Sequence, residues 1–154
     1  MTAERDDIET GGIAGRAVPP ELVSAYRGAL YRIEAADGAF TVRVGVAEPR
    51  LDRILSAHGV SVAALVTAHN PEGRRASDAA NRAGEAGLAA RIAELGLAWL
   101  PTAGIDPKGA WPDEPGRLIL GLERAEGIAL ARVFGQDALL VVRSGAGPEL
   151  VMAR

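Results

Sequence analysis

The sequence predicts an α+β fold: a single domain with a largely antiparallel or mixed sheet and helices packed on it, more on one face than on the other. Two observations carry this expectation. The hydrophobic pattern switches repeatedly between a period of two and a period of 3.6, the marks of strand and helix. The expected strands also come mostly in pairs joined by short turns, which favours antiparallel pairing. The expected order is α-ββ-α-β-α-ββ-α-ββ, with no internal repeat.

The elements follow in order along the 154 residues. Residues 1–18 are acidic, then Gly-rich, and read as a flexible tail before a domain over 19–154. Pro19 and Pro20 open a short helix to Arg27, because a proline in the first turn sacrifices no intrahelical bond. Leu30–Ala35 and Ala39–Gly45 read as two strands around Asp37-Gly38, and Phe40, Val42, Val44 and Val46 alternate with more polar residues. Pro49–His58 is an expected helix whose Leu51, Ile54, Leu55 and His58 share one face, with Gly59 as its cap. Val60–Ala68 is nearly continuous apolar sequence, as a strand buried on both faces requires.

A polar loop follows, then a long helix over Ser77–Leu95. Ser77 is placed to cap it, Asp78 to face its positive end, and Gly96 to end it. Leu97–Thr102 and Arg117–Glu123 read as strands around a long loop, Gly104–Gly116. Glu126–Phe134 is the last helix, with Gly135 as its left-handed cap. Ala138–Arg143 and Glu149–Met152 form a terminal hairpin.

Composition narrows the function classes. Seventeen basic residues against twenty acidic ones leave a net charge of −3, which argues against affinity built on phosphate neutralisation, and so against nucleic acid. The absence of cysteine excludes disulfides, thiolate metal sites and Cys nucleophiles. With only two histidines, no metal centre and no cofactor is expected. No apolar run is long enough for a membrane helix and the N-terminus has no secretory pattern, so a cytoplasmic protein is expected. Walker, GxGxxG, GxSxG and HExxH signatures are absent.

Two connections concentrate the polar chemistry. The His69–Ala76 loop joins a buried strand to a helix N-terminus, where free backbone N–H groups favour anions. Asn70, Arg74 and Ser77, with Asn81 one turn into the helix, could bind a phosphate or carboxylate. An ordinary turn with solvated arginines is the competing reading. In the Gly104–Gly116 loop, Trp111 either plugs the edge of the core or walls a pocket. Asp106 and Glu114 bracket it as candidate acid–base carboxylates; alternatively Asp106 caps a turn and Glu114 is solvated or paired with an arginine. His58 reads as a helix-end histidine. His69 is the candidate imidazole. Gln136 is a loop hydrogen-bonder or a polar group of the pocket.

Together Tyr31-Arg32-Ile33, Phe40–Gly45, Thr67-Ala68-His69-Asn70-Pro71, Ser77 with Asn81, Gly104-Ile105-Asp106-Pro107 with Trp111 and Glu114, and Phe134-Gly135-Gln136 with Ala138 stand in an order that resembles an uncharacterised bacterial family of unknown function (DUF3293-like). The resemblance covers about residues 26–151. It supports the domain boundary and the polar residue set, and implies no activity.

The expectation for function is a small polar or anionic ligand bound between the 69–77 and 104–116 loops, with Asn70, Arg74, Ser77, Asn81, Trp111 and Gln136 as ligand-binding residues. An enzymatic version would use Glu114 or Asp106. The alternative is a protein-interaction module whose C-terminal hairpin pairs with a partner strand or a second copy.

Overall fold

A computed structural model describes residues 17–154; the expected tail over 1–18 lies outside these residues apart from its last two positions. Among the described residues four helices and seven strands follow in the order α1 (Pro20–Gly28), β1 (Leu30–Ala35), β2 (Gly38–Val42), α2 (Pro49–Ala57), β3 (Val62–Val66), α3 (Asp78–Leu95), β4 (Trp99–Ile105), β5 (Glu114–Leu120), α4 (Arg124–Val133), β6 (Ala138–Arg143) and β7 (Glu149–Met152). A short 3-10 turn, Pro71–Gly73, stands between β3 and α3.

The strands form one sheet in the order β2-β1-β4-β5-β3-β6-β7, and every neighbouring pair is antiparallel. This is the expected α+β class. Helices cover both faces, two on one and one on the other. Val62, Ala64 and Val66 of β3 pack on one side with Leu88 and Ile92 of α3 and Leu130 and Ala131 of α4. Ala63 and Leu65 pack on the other side with Leu51 and Leu55 of α2. Residues alternate between faces along a strand, so a strand apolar at every position needs two covers. All five residues of β3 are buried.

Helix ends follow the sequence closely. Ser77 Oγ accepts from the Ala80 N–H, and Gly96 closes α3 in the left-handed region at φ 69°. Arg50 on α2 donates to Asp37 and lies over the Phe40 ring at 4.3 Å, tying the helix to the β1–β2 hairpin.

Two expected elements are shorter or longer than the alternation suggests. β2 ends at Val42 rather than Gly45, and Val46, on the apolar phase of the pattern, is 52 % exposed. The backbone there turns toward the last hairpin, where the Gly45 N–H donates to the Pro148 carbonyl. The long 104–116 loop contracts to residues 106–113. Gly104 pairs with Glu114, Ala103 with Pro115 and Thr102 with Gly116, so cross-strand pairing extends into a segment that three prolines and three glycines had made look like loop.

Candidate functional site

The polar residues meet where β3 ends and β5 begins. Asn70 follows β3 in the left-handed region, at φ 47° and ψ 65°, a conformation that asparagine adopts more readily than most residues. Its backbone N–H donates to Asn81 Oδ1 at 2.9 Å. Because a backbone N–H can only donate, this contact orients the Asn81 amide. Asn81 Nδ2 then donates to Asn70 Oδ1 at 3.0 Å. The Ala76 N–H donates to the same oxygen, which orients the Asn70 amide in turn. Asn70 Nδ2 is left to donate to Glu114 Oε2 at 3.3 Å. Asn81 Nδ2 also lies 3.4 Å from His69 Nε2, which accepts from it in the Nδ1–H tautomer. Nδ1 is buried without a hydrogen-bond partner.

Asn70 and Asn81 are almost fully buried. Buried amides need partners, and each supplies the other's. Gln136, equally buried, donates from Nε2 to the His69 and Phe134 carbonyls. It pins the end of α4 to the same loop, where the Glu72 N–H donates to the Gly135 carbonyl. Five of the residues singled out from sequence (His69, Asn70, Asn81, Glu114 and Gln136) therefore form one connected set, built from four elements that are distant in sequence.

Glu114 is the set's titratable end. Burial pushes its carboxyl above the ordinary carboxylate range, opposed by the Asn70 hydrogen bond and by nearby His69. Tyr31 lies beside it. In the register, Tyr31 pairs with Gly104 and Gly104 with Glu114, so the three occupy one cross-strand row on one face. Gly104 contributes no side chain between the two. Burial, then Tyr26 and Glu114, raises the Tyr31 phenol far above its usual value, so it stays neutral, and its hydroxyl donates to the Tyr26 carbonyl.

The other expected site residues lie apart from this set. Ser77 is the cap of α3. Arg74 is exposed in the loop. Asp106 is a turn cap: its carboxylate accepts from the Lys108, Ala110 and Trp111 N–H groups. These backbone hydrogen bonds, led by Lys108, hold its pKa below the usual value. Trp111 stands on that turn, 45 % exposed, and does not plug the core edge. A cavity of about 360 Å3 opens on the far side of the Asn70 loop, lined by Ala68, Pro71, Ala76, Ala80, Gly84, Val133, Phe134 and Gly135. No residue of the 104–116 connection lines it.

Sequence reasoning missed Tyr31 and Thr102 as site residues. The signal was available in the two strand glycines, Gly104 and Gly116, which mark close approach. A Cβ on Gly116 would stand 2.9 Å from Thr102 Oγ1 and 3.1 Å from the Val66 carbonyl oxygen.

Fold and site define an antiparallel α+β domain with a buried amide relay ending on a half-buried carboxyl. Residues 66–139 match the family model described as "Protein of unknown function (DUF3293)", and over this span the chain resembles that family. The matched span holds Asn70, Asn81, Glu114 and Gln136. No curated protein and no solved structure matches the chain.

Proposed function

We propose that the protein binds a small polar ligand at this end of the sheet, with Glu114 as its anchoring and proton-handling group. One observation carries the reading: a relay of oriented amides, fixed by two backbone N–H donors, holds one oxygen of a half-buried carboxyl. Positioning a carboxyl through buried polar groups costs stability unless each is satisfied, and such placement is characteristic of functional sites. In an enzymatic version Glu114 is the general acid or base, since a carboxyl raised toward neutral pH suits proton transfer. Trp111, three residues away, supplies the apolar wall. The protein is read as bacterial and cytoplasmic. In support, the chain carries no cysteine, which suits a reducing compartment, and no described helix is long and apolar enough to cross a membrane.

A thermal-shift screen against nucleotides, phosphorylated metabolites, sugars, amines and small acids tests this. Ligand at a hundred times its Kd adds about 2.7 kcal/mol of stability, several degrees in Tm. A hit retained by Ser56→Ala, on the exposed α2 surface, and lost in Glu114→Gln and Trp111→Ala is the expected result. A hit unaffected by both site variants would place the ligand elsewhere.

A second reading rests on the sheet edge. β7 ends the sheet order and pairs only with β6 among the described strands, leaving an edge that a partner strand could extend. Light scattering that returns a strict monomer at high concentration would remove the version with a second copy.

A further inference from the structure

The charge of the seat beside Glu114 is itself informative. Carboxylates that lie partly out of water are normally paired with a cation. Among the described residues Glu114 has no ion pair, while Arg50 holds Asp37, Arg117 holds Glu85, and Arg124 holds Glu149. His69 is a basic group nearby, but its Nε2 lies against Asn81 Nδ2, and it makes no ion pair with Glu114 among the described residues. Asn70 occupies only Oε2. The second oxygen, Oε1, has no hydrogen bond and is not among the buried polar atoms that lack one, so it faces solvent.

The surroundings are acceptors. Tyr31 spends its proton on the Tyr26 carbonyl, leaving its oxygen lone pairs beside the carboxyl. One row further along the same face, Thr102 pairs with Gly116. Thr102 is 6 % exposed, and its Oγ1 is buried with no partner, directed at the space a Gly116 side chain would fill. The Tyr31 ring packs over Gly104, while Thr102 and Thr67 crowd Gly116.

Resting on the ligand-binding reading above, we propose that this seat takes a small organic cation, a primary ammonium or a guanidinium, rather than an anion. Its N–H groups donate to Glu114 Oε1, with the Tyr31 hydroxyl oxygen, in the same cross-strand row, as a further acceptor. The cation supplies the ion pair that no described residue makes with Glu114. Arg74, which had suggested an anion, is exposed in the loop.

Titration calorimetry of the full chain at pH 7.5 tests it, with benzylamine and agmatine as cationic probes and benzoate and inorganic phosphate as anionic ones. The expected result is binding of at least one cation and neither anion. Glu114→Gln should weaken the cation by about tenfold or more, as loss of a charge-assisted hydrogen bond implies, while keeping the wild-type circular dichroism spectrum. In wild type, the Glu114 carboxyl followed by 13C NMR should titrate at lower pH once the cation is bound. Anion binding that depends on Glu114 or Trp111, without cation binding, overturns the cation while leaving the ligand reading intact. Cation binding unchanged in Glu114→Gln also overturns it. If no probe binds, the cation proposal falls, and if the broader screen is empty as well, so does the ligand reading.

Discussion

At the scale of single residues, Asn81 has more consequence than its position inside a helix suggests. Its amide satisfies the Asn70 N–H and Oδ1 and contacts His69. Asn81→Ala leaves the buried Asn70 N–H without an acceptor, and such a group costs about 1–3 kcal/mol; urea unfolding should show a loss of that size. Glu114 gives the protein a pH signature. Its carboxyl is raised in the folded state, so the folded chain holds that proton more tightly than the unfolded one. The stability it contributes is fully present below the ordinary carboxylate pKa and is lost as pH rises through the folded value. Glu114→Gln should therefore flatten the wild-type decline across that window. Asp106 behaves in the opposite sense. Its lowered pKa makes its contribution present above the ordinary range and lost as pH falls through the folded value. Asp106→Asn should speed amide exchange at Lys108, Ala110 and Trp111 with little change in the global Tm, because the turn is at the surface.

At the scale of elements, close packing of α3 sets a sharp steric limit. A Cβ on Gly84 would lie 2.9 Å from the Ala68 carbonyl oxygen, a backbone atom. Alanine is intrinsically favoured in a helix by about 1 kcal/mol over glycine, yet overpacking costs about 1–3 kcal/mol. Gly84→Ala should be net destabilising in chemical unfolding, contrary to helix propensity. Elements with strong local signals were legible in the sequence: the apolar run that became β3, the Ser77 and Gly96 boundaries of α3, and both strands of the last hairpin. The β4–β5 connection was not. Pro101, Gly104, Pro115 and Gly116 are poor strand residues, and only their cross-strand partners hold them in the sheet. The candidate site was legible in the larger part of its residues. Asn70, Asn81, Glu114 and Gln136 stood out as polar residues in connections. Tyr31 and Thr102 did not, because only the strand order β1-β4-β5 brings their faces together.

At the scale of the whole molecule, two cores share one sheet, and β3 belongs to both. Its amides are bonded on each side, to β5 and to β6. They should be the slowest to exchange in native-state hydrogen exchange, opening only with global unfolding, whereas the short edge strands β2 and β7 should open earlier. Exchange at β3 as fast as at β7 would show that the two cores do not melt together.

The strand order also governs how the chain is made. The all-apolar β3 leaves the ribosome long before its neighbours, for β5 begins at Glu114 and β6 at Ala138. Until both have emerged, Val62–Val66 can pair with neither of its native partners. Distant pairings of this kind form slowly, and an unpaired apolar strand invites aggregation meanwhile. The centre of the sheet therefore cannot close until synthesis has passed Arg143, and a nascent chain halted ahead of β6 leaves one short hydrophobic segment without a native partner.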